Sequence, residues 1–78
     1  MSALAPTFPN TDIAYGRIAF RTLGTRLLLR VLPSSAGFYI GTIDEDGPAS
    51  RESVEYYPTF EAAQIALLQH TWTQRPHA

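Results

Sequence analysis

The lack of cysteine is the strongest constraint on a chain of only 78 residues. A domain of this size buries a little over about 60% of the surface that its unfolded chain exposes, and ordering it costs roughly 1.5 kcal/mol per residue in entropy. Neither a disulfide nor a thiolate zinc site is available to offset that entropy. The apolar core must therefore stabilise one small domain, and self-association is the remaining common source of stability.

Composition excludes disordered and membrane-spanning classes, because 45% of the residues are hydrophobic while no apolar stretch approaches the roughly 18 residues of a span. The first residues lack the positive and apolar regions of a signal peptide, and Pro6 and Pro9 would interrupt one. We expect a cytoplasmic protein with a flexible lead-in over 1–11, one domain over 12–72 and a C-terminal tail over 73–78.

The spacing of apolar residues predicts an α+β fold in which a four-stranded antiparallel sheet packs against one C-terminal helix. Gly24 supplies a positive φ for a hairpin turn between the first two strands. Thr59 is the predicted N-cap of the helix, and Glu61 stands in its first turn. The predicted strands lie at about 12–22, 26–32, 38–43 and 51–57, and the helix lies at about 60–71.

Two apolar stripes run along the predicted helix. One, with Phe60 and Leu67, would cover a face of the sheet, and the second, about 120° away, consists of Ile65, Leu68 and Trp72. If the two ends of the chain cover the helix, both stripes belong to the hydrophobic core. Otherwise the second stripe is the candidate protein interface, and its most direct partner is a second copy in a homodimer.

Charge is distributed unevenly along the chain. Residues 1–40 hold four arginines and one acid, whereas residues 41–78 hold two arginines and six acids, and lysine is absent. In the predicted hairpin the four arginines share its outer face with one aromatic residue. Because arginine pairs with phosphate and carboxylate and stacks on aromatic rings, this face is a candidate site for an anionic partner. Its residues are Tyr15, Arg17, Arg21, Arg26 and Arg30.

Two readings of this face stay open. It could bind nucleic acid, in which case affinity falls steeply with salt. Alternatively, Glu52, Glu55 and the acids at 44–46 neutralise the arginines across the sheet, each exposed pair contributing little. The slightly negative net charge of the chain favours the second reading, because nucleic-acid-binding domains are usually positive.

Groups that could catalyse a reaction are few. His70 falls at the end of the predicted helix, where a capping role is favoured, and His77 lies in the tail. The acids at 44–46 with Gly47 resemble half of a calcium loop, but Glu52 is one position short of its closing acid. The glycines form no phosphate-binding motif. The sequence therefore predicts no catalytic residue, no cofactor and no metal.

The C-terminal half is similar to small uncharacterised bacterial proteins associated with phages, plasmids and integrated elements. The similarity covers residues 37–76 and is strongest where a strand leads into the Thr59-Phe-Glu-Ala-Ala63 start of the helix. It implies a sheet-plus-helix domain and no activity or functional residue. Together these features predict a non-enzymatic binding or adaptor domain that contacts an unknown protein or itself, with nucleic acid as the alternative partner and no membrane.

Overall fold

Three antiparallel strands and two helices form the part of the chain that the structure, a computed structural model, describes: residues 15–78. The sheet has the order β1-β2-β3, so β2 is central and β1 and β3 are its edges. The elements are α1 (Arg17–Leu23), β1 (Arg30–Ser34), β2 (Gly37–Asp44), β3 (Gly47–Arg51) and α2 (Phe60–Gln69). The predicted α+β class with an antiparallel sheet is confirmed.

Both hairpin connections are two-residue turns followed by a glycine with positive φ. Gly37 has φ 121° and Gly47 has φ 115°, values that glycine adopts without steric cost. In the first turn the Ser34 hydroxyl accepts from the amide of Ala36, and in the second the Asp44 carboxylate accepts from the amide of Asp46. These local contacts fix the register Ser34↔Gly37 and Asp44↔Gly47.

Both helices lie on the same face of the sheet. Phe38 meets Phe60 of α2 edge to face at 6.2 Å, and Gly16, at the start of α1, lies against Thr42. Successive side chains of a strand point to opposite faces, so Phe38 and Thr42, four residues apart on β2, share one face and Tyr39 points to the other. The core between the layers is small and rich in alanine. Its buried apolar residues are Ile18, Ala19, Ile40, Ala63 and Ala66, whereas Tyr39 and its register partner Leu32 are buried on the opposite face of the sheet.

The predicted N-terminal hairpin is wrong. Residues 12–14 of its first strand lie outside the described residues, while 17–23 form α1 and only 30–32 of its second strand lie in a strand. Gly24 does adopt a positive φ of 72°, but as the C-cap of α1, where its amide donates to the carbonyl of Phe20. The spacing of the arginines does not distinguish a strand from a helix, because residues four apart, such as Arg17 and Arg21, share one face in either structure.

The predicted strand at 51–57 is also displaced. β3 spans Gly47–Arg51, and a second contact with β2 follows, where Phe38 and Tyr57 exchange backbone hydrogen bonds. Between them both Glu52 and Ser53 donate to the carbonyl of Ile40, so two residues oppose one and the ladder is interrupted. Residues 73–75 of the predicted tail run beside 52–54, through hydrogen bonds such as Arg75 amide to Glu52 carbonyl at 2.7 Å.

The strand predicted at 38–43 and the C-terminal helix are confirmed. Thr59 caps α2 as expected, since its hydroxyl accepts from the amide of Ala62 at 3.0 Å. The helix ends at Gln69 in a Schellman pattern: the amides of His70 and Thr71 donate to the carbonyls of Leu67 and Ala66. His70 adopts φ 57°, so its backbone caps the helix whatever the charge of its ring.

Candidate binding surfaces

A buried carboxylate positions α1. Glu52 is fully buried, and its Oε1 and Oε2 accept from the amides of Ile18 and Ala19, each at 3.0 Å. The hydroxyl of Ser50 donates to Oε2 at 2.6 Å, and the side-chain amide of Gln74 donates to Oε1 at 2.7 Å. A seven-residue helix is not stable by itself, and no side chain of its own N-cap residue satisfies its first amides. Glu52 performs that task from 33 and 34 residues away.

The space around this carboxylate requires glycine at position 16. A Cβ built on Gly16 would lie 2.5 Å from Glu52 Oε2 and 2.5 Å from Thr42 Cγ2, although the φ of −78° would suit any residue. Burial alone raises the pKa of Glu52, but the hydrogen bonds from Ile18, Ser50, Gln74 and Ala19 together outweigh it, so the pKa lies below its ordinary value. Glu52 is therefore ionised at neutral pH and cannot serve as a proton donor there.

Exposed arginines and aromatic rings are interleaved on α1 and the segments that flank it. The guanidinium of Arg26 stacks over the rings of Tyr15, at 5.5 Å, and Phe20, at 5.0 Å, and these two rings meet edge to face at 5.9 Å. Arg17 and Arg21 are four residues apart on α1, so they lie on one side of it. We call Tyr15, Arg17, Phe20, Arg21 and Arg26 the arginine–aromatic surface.

This surface continues into a cleft between the start of α1 and the end of α2. The cleft has a volume of about 290 Å³ and is lined by Tyr15, Arg17, Leu29, His70, Trp72 and Gln74. A second depression, of about 410 Å³, adjoins the cleft: Tyr15 and Arg17 also line this second space, together with Phe20 and Arg21. The two depressions form one track with aromatic walls and arginines along it.

Three of the five carboxylates that the sequence suggests as neutralising partners accept hydrogen bonds from backbone amides instead. Glu52 accepts from the amides of α1, Glu55 accepts from the amide of Thr73 at 2.9 Å, and Asp44 accepts from the amide of Asp46. The arginine side chains that form hydrogen bonds donate to carbonyl oxygens. For the described residues these are Arg21 to Pro76, Arg51 to Ser53 and Val54, and Arg75 to Arg51. None of these hydrogen bonds joins an arginine to a carboxylate.

Arg30, the remaining arginine of the predicted anionic-partner face, is separated from the other three. It lies on β1 opposite Gly41, on the sheet face away from the helices. Arg51 shares this face, where its guanidinium lies 4.7 Å from the ring centre of Tyr56. The helix at 17–23 thus brings together four of the five predicted residues and leaves Arg30 on a different element.

An exposed apolar surface lies along α2 and the start of β1. Leu28 is 71% exposed, Ile65 53% and Leu68 68%. Beside them a groove of about 360 Å³ runs between the two elements. Its lining is apolar apart from Arg30 and Gln64, and the apolar residues are Leu28, Leu29, Val31, Phe60 and Leu67. We call the three exposed residues together with this groove the apolar surface.

The predicted interface of Ile65, Leu68 and Trp72 is divided between two surfaces. Ile65 and Leu68 belong to the exposed side of α2, whereas Trp72 follows the end of the helix and is half-buried in the cleft with Tyr15 and Arg17. The helix would have to continue to Trp72 for the three to share a stripe, and the left-handed backbone of His70 prevents it. The sequence did not indicate Phe20 as part of this surface, and it suggested that Glu52 neutralises arginines rather than caps α1. The local signal for α1 is the glycine at its end.

Metal-ligating clusters and membrane-spanning helices were sought in the described part of the chain. Within residues 15–78 no cluster of three metal-ligating side chains occurs, and no helix has the length and apolar character needed to cross a membrane. Comparison with models of protein families, with curated proteins and with solved structures finds no match. The similarity to small phage- and plasmid-associated proteins stays a prediction.

Proposed function

We propose that the protein is a small non-enzymatic binding domain that acts through protein–protein contacts, and that its first partner is a second copy of itself. The apolar surface supports this most directly, because Leu28, Ile65 and Leu68 are each more than half exposed. Full burial of such a side chain contributes about 1.5–3 kcal/mol. A cytoplasmic, bacterial setting belongs to the same proposal.

The position of these residues favours a symmetric pair. β1 is an edge of the sheet, and the apolar surface lies alongside it, so a two-fold axis would bring the same surface of two copies together. The core between sheet and helices is thin, since three of its five buried apolar residues are alanines. Association would add large aliphatic side chains to a domain that has neither disulfide nor described metal cluster.

Sedimentation equilibrium of the wild-type chain over micromolar to near-millimolar concentrations tests the proposal, with Leu68→Glu as the disrupting variant. We expect a reversible dimer for the wild type and a monomer for Leu68→Glu, because a carboxylate would be transferred into an apolar interface. Gln69→Glu is a matched control, since it places the same charge on the next, exposed residue of α2. A wild type that stays monomeric, or a Leu68→Glu variant that dimerises as well as Gln69→Glu, would contradict the proposal.

Nucleic-acid binding through the arginine–aromatic surface is the second candidate function. The observation that favours it is that Glu52, Glu55 and Asp44 are hydrogen-bonded to backbone amides rather than to arginines. Arg17, Arg21 and Arg26 therefore present a local positive charge that the net charge of the chain conceals. Affinity that falls steeply with salt is the expected signature, and no binding at low ionic strength would reject this candidate.

A further inference from the structure

We propose that the cleft between Tyr15 and Trp72 holds one unpaired base of a single-stranded nucleic acid, with the adjoining phosphates on Arg17 and Arg21. This inference rests on the second candidate function and deepens it, by naming the form of nucleic acid and the seat of a base. It starts from the cleft's lining, in which two large aromatic side chains stand beside an arginine and a histidine.

The chemistry of the lining suits an aromatic group that carries an anion. Tyr15 is exposed and Trp72 is half-buried, so both offer ring surface to a ligand. Arg17 is exposed at the mouth, and its guanidinium makes no hydrogen bond with the described part of the chain. No acidic residue is among the six that line the cleft. A nucleobase would stack on the rings while its phosphate pairs with the guanidinium.

The size and continuity of the space favour one unit of a polymer. The cleft volume of about 290 Å³ is just below the roughly 300–1,000 Å³ typical of small-ligand pockets. The track then continues past Arg21 and Phe20, and the guanidinium of Arg26 stacks on the Phe20 ring. Arg17 and Arg21 are one helical turn apart, about 5–6 Å between Cβ atoms. Arginines and rings that recur along one track are typical of proteins that follow a single strand.

A double helix fits this arrangement less well. Its bases are stacked on one another and present edges rather than faces, so the rings of Tyr15 and Trp72 would have nothing to stack on. An acidic protein segment could pair with the arginines, but it would leave the aromatic walls of the cleft unused.

Trp72 provides a direct test because it is the single tryptophan of the chain. We expect a homopyrimidine oligonucleotide to quench its fluorescence at low ionic strength, with the same midpoint as the anisotropy change of a labelled oligonucleotide. A duplex of equal length, inorganic polyphosphate and polyglutamate serve as comparison ligands. Quenching that any of these three produces as strongly as the single strand would overturn the inference, because the base would not be what the cleft recognises.

The affinities of variants for a single strand distinguish binding of a base in the cleft from general attraction between charges. Tyr15→Ala and Trp72→Ala are each expected to weaken single-strand binding roughly 5- to 150-fold. Arg17→Ala should weaken it and reduce the slope of log affinity against log salt by about 0.7, the value of one phosphate contact on a single strand. Arg30→Ala is the matched control: it removes one exposed arginine on β1 that lines neither depression of the track. Thermal unfolding of each variant establishes that it is folded.

The outcomes distinguish the inference from the function on which it rests. Binding that is lost in Arg17→Ala but unchanged in Tyr15→Ala, without quenching of Trp72, would overturn the base-binding cleft and leave nucleic-acid binding standing. No anisotropy change with any oligonucleotide at low salt would overturn both. An Arg30→Ala variant as weak as Arg17→Ala would show that total charge decides affinity, and it would also overturn the cleft.

Discussion

Replacing Glu52 with glutamine is the perturbation that tests the fold's central polar contact. The carboxylate accepts four hydrogen bonds: from the amides of Ile18 and Ala19, from Ser50 and from Gln74. A glutamine side chain keeps one acceptor oxygen and turns the other position into a donor. At least one backbone amide at the start of α1 would then face another N–H group.

The expected loss of stability follows from these contacts. A buried donor left without an acceptor costs about 1–3 kcal/mol, and hydrogen bonds to a charged group are worth about 1.5–3 kcal/mol against about 1 kcal/mol for neutral ones. We expect Glu52→Gln to lower the free energy of unfolding by about 2–4 kcal/mol. A domain of this length has a total stability of roughly 4–12 kcal/mol, so Glu52→Ala is expected to leave little folded protein.

Urea unfolding followed by far-ultraviolet circular dichroism and by Trp72 fluorescence measures this loss. Glu61→Gln is the matched control, because it removes the same charge from an exposed position in the first turn of α2. It should change stability by less than about 1 kcal/mol, the scale of one charge near a helix end. A Glu52→Gln protein within about 0.5 kcal/mol of the wild type would refute the reasoning, since surface substitutions alone span that range.

The dependence on pH offers a second, independent measurement. Because the pKa of Glu52 is lower in the folded state than in the unfolded state, its carboxylate stabilises the fold above the unfolded pKa of about 4.5. That stabilisation is lost as pH falls through the folded pKa. The difference in stability between wild type and Glu52→Gln should therefore shrink below about pH 4. The pKa of Glu55 is also lowered by hydrogen bonds to Thr73, against burial, but this carboxylate is common to both proteins. A difference that is constant down to pH 3 would contradict the assignment.

Three further substitutions test local features by thermal or urea unfolding. Gly16→Ala should destabilise by about 1–3 kcal/mol through the contact of its Cβ with Glu52, and a neutral effect would contradict the close approach. His70→Gly should stabilise by a few tenths to about 1 kcal/mol, because glycine relieves the left-handed backbone at the end of α2; a loss of stability would show that the ring contributes to the fold. Thr59→Ala should cost about 1 kcal/mol by removing the N-cap hydrogen bond, whereas Thr59→Ser should retain most of it.

The sequence by itself determined the features whose causes are local. The strand at 38–43 follows from β-branched and aromatic residues between two turns with glycine. The helix from Phe60 follows from its threonine N-cap and its alanine-rich interior. The positive φ of Gly24 was also predictable, since it needs only the absence of a side chain.

Tertiary structure decided the features that depend on distant residues. Arg17–Leu23 is a helix because a carboxylate more than thirty residues away accepts its first amides, and no pattern within the segment encodes that contact. Because of this contact Glu52 is buried, so it does not neutralise the exposed arginines as the sequence suggested. Trp72 lies beside Tyr15 and Arg17 because α2 ends at Gln69 and residues 73–75 pair with 52–54. Sequence spacing identified most of the arginine–aromatic residues, but it could not show which element holds them, because that element forms only when the rest of the chain supplies its cap.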